Sequence, residues 1–184
     1  MHCLFAKTWL YPNDWSSRLS FAFSREPVSR AVSMFLYMFW RGGSLGNLLV
    51  DNLNLLKTVR RPIFRASTAF DIFLELLERR FSQTHDSNFL PVDLHFTTHT
   101  ARMFEDITDK EEKVLLARVY RLESFVPAIR EVLADIGAPA PVETGRRLNQ
   151  NEKSATYQPN RTQRIRLERI YDKDFEIYEN ALVR

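Results

Sequence analysis

Residues 19–40 read LSFAFSREPVSRAVSMFLYMFW, and this stretch decides the fold. Leu19 to Ser24 alternates large apolar residues (Leu19, Phe21, Phe23) with small ones (Ser20, Ala22, Ser24), the period of a strand. Glu26-Pro27 stops it. Proline fixes φ near the helical value and lacks a donor that a first helical turn leaves unpaired, so Pro27 fits the first position of a helix. From there Val28, Val32, Phe35, Leu36 and Phe39 recur at spacings of three and four, which predicts an apolar helix face.

The polar residues of the same stretch carry a chemical signal. Arg25 stands where the strand ends and the helix begins. Arg30 and Ser33 are three apart and share a face early in the helix. A helix N-terminus offers unpaired N–H groups and partial positive charge, and arginine forks with a hydroxyl complete a phosphate clasp. The same residues also fit a plainer reading, with Arg25 on a surface turn, Arg30 in water and Ser33 as a small packing residue.

Phe23-Ser24-Arg25-Glu26-Pro27-Val28-Ser29-Arg30-Ala31-Val32-Ser33 resembles the motif by which PAPS-dependent sulfotransferases hold the 3′-phosphate of the sulfate donor. In that motif a strand ends in Arg and is followed by x-Pro-x-x-Arg-x-x-Ser on a helix; Arg25, Pro27, Arg30 and Ser33 stand at the matching positions. The carbohydrate (Golgi-type, family 2-like) sulfotransferases offer the nearest pattern, Phe-x-Phe-Val-Arg-(Asp/Asn)-Pro, from which Ser24 and Glu26 depart. Leu94-His95-Phe96, Tyr120-Arg121-Leu122-Glu123, Leu148-Asn149 and Ile170-Tyr171-Asp172-Lys173-Asp174-Phe175 follow in the family's order. The resemblance implies a P-loop-NTPase-like α/β fold. It also implies PAPS as donor, PAP as product and no metal. Arg25 and Ser33 would hold the 3′-phosphate, Arg30 would support it, and His95 would be the general base toward a carbohydrate hydroxyl.

Composition agrees with a folded domain. The chain has 184 residues, 45% of them apolar, with 14 phenylalanines, enough for a core. One cysteine, Cys3, permits no internal disulfide. The net charge of +3 is too small to indicate nucleic acid by itself, and no recognition motif for it appears. Residues 1–65 hold nine Lys or Arg against three Asp or Glu, so positive charge surrounds the Arg25 region. The longest apolar run, Ala31 to Trp40, is half the length a bilayer core requires, and the start lacks the pattern of a signal peptide. These features and the resemblance together predict a cytoplasmic protein if the chain is bacterial. A Golgi-lumenal one is predicted if it is a fragment of a eukaryotic protein.

Along the chain, residues 1–17 read as irregular, with a turn at Tyr11-Pro12-Asn13-Asp14. Sulfotransferases place a strand, a lysine-bearing loop and a helix before the Arg motif, and that loop wraps the 5′-phosphosulfate. No such loop precedes residue 19; Lys7-Thr8 lacks the glycine and the strand. The reading is of an N-terminally incomplete fold, whose alternative role is a catalytically inactive PAPS- or PAP-binding remnant or interaction module. Residues 41–66 read as a connection, and 67–81 as a helix capped by Ser67 or Thr68 with Phe70, Phe73, Leu74, Leu77 and Phe81 inward. Thr84 to Pro91 reads as a loop. His95 and His99 share a face if their segment is helical, a spacing zinc also uses, but no third ligand has suitable spacing. On the residues alone His95 also fits a packed structural histidine.

Val114 to Leu122 reads as a second strand. After it Ser124 would cap a helix with Phe125, Ile129, Val132, Leu133 and Ile136 on one face, ended by Gly137. Glu123 is either a structural acceptor at the turn or an active-site carboxylate. Residues 144–163 read as a polar loop that the resemblance places beside the nucleotide, with Arg146, Arg147 and Lys153 near the phosphates. Asn160 or Thr162 then caps a final helix through Ile165, Ile170, Tyr171 and Phe175. The whole is predicted as one α/β domain, 1–184, with a small parallel sheet flanked by helices.

Overall fold

The computed structural model describes residues 3–39, 66–82, 94–139 and 157–184. The predicted features at 40–65, 83–93 and 140–156, among them Asn149, Arg146, Arg147 and Lys153, lie outside these residues. The fold is α/β: mostly helical, with a parallel sheet of two strands. The chain divides into two compact units. One comprises residues 1–26, 102–153 and 173–184, the other 27–101 and 154–172.

The first unit holds the sheet. Strand β1 (Phe21–Ser24) pairs in parallel with β2 (Arg118–Arg121), with Phe21 opposite Arg118 and Ser24 opposite Arg121. A parallel pair cannot close through a hairpin, and the long intervening sequence is the crossover such a pair requires. On the other side of β2, Leu182 forms a single parallel bridge to Tyr120: its N–H donates to Val119 O at 2.8 Å, and Arg121 N–H donates to Leu182 O at 3.0 Å. Both strands are shorter than the sequence predicts. Val114 forms only an isolated antiparallel bridge to Thr108, at a tight turn in which Glu112 adopts φ 61°.

β2 leads through a 3-10 turn (Leu122–Ser124) into a helix, Phe125–Asp135. The Ser124 side chain makes no capping bond, because the turn runs directly into the helix and supplies its entry. The buried seam also differs from the expected face. Ala128 and Val132 pack on Tyr120 with Leu19, Phe23 and Leu182, while Phe125 and Ile136 are exposed. Phe125 instead lies at the sheet's edge, 4.9 Å from the Phe23 ring. Gly137 ends the helix at φ +67°, a conformation that suits glycine.

Of the segment predicted as irregular, residues 3–17 carry helical turns. α1 (Cys3–Phe5) is continued by a wider π-helical turn at Ala6–Leu10, followed by a 3-10 turn at Trp15–Ser17. Trp15 Nε1 donates to Leu115 O at 2.9 Å and ties this segment to the residues before β2. The carboxylate of Asp174, 3% exposed, accepts from the amides of Met103 and Phe104 at 3.0 and 2.8 Å. It thereby satisfies orphan donors of the short helix Met103–Ile107.

The second unit is helical. α2 (Pro27–Met34) widens into a π-helical turn at Phe35–Phe39. Pro27 occupies its first turn as predicted, but the buried residues are Val28, Ala31, Met34, Phe35 and Met38, with Val32 only half-buried. The next long helix, α3 (Ala66–Phe81), buries Phe70, Phe73, Leu74 and Leu77; Ser67 and Thr68 lie inside it rather than capping it. Phe35, Phe70, Phe73 and Tyr157 form an aromatic cluster with ring centroids 4.9 to 5.8 Å apart. The predicted single terminal helix is two: Arg161–Ile170 and, in the first unit, Asp172–Asn180, with a break at Tyr171.

Asn160 caps the first of these in a reciprocal capping box with Gln163. Gln163 is completely buried and fully bonded. Its Oε1 accepts from Tyr157 OH at 2.6 Å and Asn160 N–H at 3.0 Å, and its Nε2 donates to Asp71 at 2.9 Å and to Ser67 O at 3.1 Å. Replacing it removes a cap and leaves buried partners unpaired. Gln163→Ala is expected to cost about 2–3 kcal/mol, read as a lower midpoint in urea denaturation with an unchanged slope.

Candidate functional site

In open α/β sheets, ligands bind beyond the carboxyl ends of the parallel strands. In the first unit those ends are Ser24 and Arg121, paired in register. Arg25 follows β1 and is exposed; among the described residues its guanidinium has no hydrogen-bond or ion-pair partner. Arg121 at the end of β2 is engaged. Its Nε donates to Tyr178 O and its Nη2 to Glu179 O, both at 3.1 Å, and its guanidinium lies 4.6 Å from the Tyr178 ring centroid. A cation thus caps the last carbonyls of the helix Asp172–Asn180, where the backbone is partially negative.

Glu123, two residues past β2, is exposed rather than buried at the turn, and it stands beside Tyr178. Burial and the adjacent Glu123 carboxylate push the Tyr178 phenol above the ordinary tyrosine value; Arg121 opposes them and Glu26 adds to them. At the carboxyl ends of the strands, Arg25 is thus exposed and without a partner among the described residues, whereas Arg121 is engaged and Tyr178 favours its neutral form.

Arg30 and Ser33 belong to the second unit, one turn apart on α2. The Ser33 side chain is half-buried, and no described residue bonds its hydroxyl. Arg30 differs. Its guanidinium donates to the backbone carbonyl of Ala101 and lies 5.7 Å from the centroid of the Tyr171 ring. Ala101 follows the helix Leu94–His99, which carries both His95 and His99. His99 is exposed, its ring 5.8 Å from that of Tyr37. Among the described residues no three His, Cys, Asp or Glu side chains form a group that could hold a metal ion. No described helix is long and apolar enough to cross a membrane.

Sequence reasoning placed Arg25, Arg30 and Ser33 on the right elements but missed what Arg30 touches. It also missed Tyr178 and the Arg121 cap. The only signal for these was the position of Arg121 and Glu123 at a strand end. No family model, no curated protein and no solved structure matches this chain.

The protonated phenol is a direct test of this edge. Tyr178 favours its neutral form in the folded state. The stability it adds is therefore present below the usual tyrosine pKa and lost as pH rises through the higher folded value. Glu123→Gln removes a raising influence, so ultraviolet titration of tyrosinate should show the Tyr178 midpoint moving down; an unchanged midpoint would rule Glu123 out as a cause.

Proposed function

We propose that the chain is a sulfotransferase-type domain whose strand-to-helix corner receives the 3′-phosphate of PAPS, for transfer of a sulfuryl group to a carbohydrate hydroxyl. The observation that carries the reading is the order of elements along the chain. A short parallel strand ends directly before an exposed, unpartnered Arg25, Pro27 opens α2, and Ser33 on that helix keeps a hydroxyl that no described residue bonds. The order strand, arginine, proline, helix, serine is the one that the sequence motif requires.

Arg25 would contribute a planar fork to the phosphate, and Ser33 a donor from the helix. PAPS brings the activated sulfur. The acceptor oxygen attacks that sulfur, the bond from sulfur to the 5′-phosphate oxygen breaks, and PAP departs. Such transfers depend on alignment and charge neutralisation more than on covalent help. His95, on the helix Leu94–His99, is the proposed acceptor of the hydroxyl proton. The fold would then be the P-loop-NTPase-like sulfotransferase fold, of which the two-stranded parallel sheet is a part.

Lys7 lies on the π-helical turn Ala6–Leu10, not in a loop after a strand. The alternative reading on the same Arg25–Ser33 motif is a domain that binds PAP without catalysing transfer.

Calorimetry with PAP tests the shared premise. Charge-assisted hydrogen bonds are worth about 1.5–3 kcal/mol, so Arg25→Ala should weaken binding by roughly ten- to a hundredfold. Equal affinities, or no binding by the wild-type chain, would remove both readings. Radiolabelled sulfate passing from PAPS to a glycan acceptor, and not with His95→Ala, would select the enzyme over the binding module.

A further inference from the structure

Arg30 stands in the motif as a candidate phosphate ligand, yet its guanidinium is turned to protein. It donates to Ala101 O and lies over the Tyr171 ring. The surrounding residues form one connected knot. Thr100 is fully buried; its N–H and its hydroxyl both donate to Phe96 O, at 3.0 and 2.6 Å. The Thr100 hydroxyl also accepts from Arg80 of α3, and the Thr100 carbonyl accepts from Tyr171 OH at 3.1 Å. Phe81 of α3 packs edge-on against Tyr171, with ring centroids 5.9 Å apart. The end of the helix Leu94–His99 therefore has its outgoing carbonyls taken by side chains from α2 and from the break before the last helix. Cations belong at a helix C-terminus, where carbonyls lack intrahelical partners.

We infer that Arg30 is a positioning residue: it ties α2, the helix that carries Ser33, to the segment that carries His95. A ligand bound at Ser33 on α2 is thereby felt at residues 96–101. This inference rests on the donor-site reading above. It gives the supporting role that the motif implies for Arg30 a specific partner, the end of the helix Leu94–His99.

Hydrogen exchange at the amides of residues 96–102, measured with and without PAP, tests it. In the wild type PAP should slow these amides. In Arg30→Met they should exchange about tenfold faster in the free protein, the loss of one charge-assisted bond. The response to PAP should vanish there, although affinity falls less than in Arg25→Ala. Arg30→Lys should lie between, because an ammonium still reaches a carbonyl but has no plane to lay on Tyr171. If Arg30→Met does not fold, Tyr171→Phe removes a single hydroxyl from the same knot and should loosen the same amides.

The inference is overturned if Arg30→Met keeps the full PAP response. It is equally overturned if that variant loses PAP as completely as Arg25→Ala while residues 96–102 exchange as in wild type, since Arg30 would then be a ligand. Failure of the wild-type chain to bind PAP is a different result. It removes the donor-site reading and with it the coupling, whereas faster exchange in the free Arg30→Met protein would still report the bare tie.

Discussion

The parallel pairing of Phe21–Ser24 with Arg118–Arg121 is the constraint on which the first unit depends. Four residue pairs are too few to hold a sheet in water without cover, and parallel ladders need both faces protected. Cover comes from Tyr120, fully buried, against which Phe23, Ala128, Val132 and Leu182 pack. The Tyr120 hydroxyl does not remain orphaned: it donates to Glu131 at 3.0 Å, and Glu131 also meets Arg118 and Arg184. One side chain thus couples the ladder, the following helix and the last residues of the chain. Ser24 and Arg121 end in register because of it, which sets Arg25 and Glu123 at one edge.

In the second unit the organising group is an amide rather than a ladder. Gln163 answers donors and acceptors from Tyr157, Asn160, Ser67 and Asp71, so the start of the helix Arg161–Ile170 is registered against α3. The Arg166 fork on Glu78, with both bonds at 2.7 Å, repeats that registration lower on the same pair of helices. The Arg166 guanidinium holds the Glu78 carboxyl below its ordinary value. That contribution to stability is present above the usual carboxylate pKa and fades as pH falls through the lowered one.

Elements set by local pattern were legible in the sequence. The three-four spacing of Phe70, Phe73, Leu74 and Leu77 specified α3, the alternation at Phe21 and Phe23 specified β1, and Pro27 and Gly137 marked a start and a stop. The faces were read in part: Val28, Phe35 and Val132 are buried as expected, but the seams also use Ala31 and Met34 of α2, Met38 of the π-helical turn and Ala128, small or pliable residues that the three-four count of large apolar residues passes over. Of the candidate site, the positions of Arg25, Arg30 and Ser33 could be read, but not the engagement of Arg30. Its partner is a backbone carbonyl 71 residues away, and every residue carries such a carbonyl, so residue identity says nothing about it. Asp174, bonded to two backbone amides, was invisible for the same reason.

The contrast between Arg25 and Arg30 bears on how an anion could be held at all. A phosphate that recruited Arg30 would take a donor from Ala101 O, a half-buried acceptor whose charge-assisted bond would be lost. It would also draw the cation off the Tyr171 ring. Arg25 gives up only water, so the same phosphate gains more from it. The motif's two arginines are chemically alike but differ in what each must relinquish. That difference separates the two: Arg30 is engaged with the protein, whereas Arg25 is exposed and has no partner among the described residues.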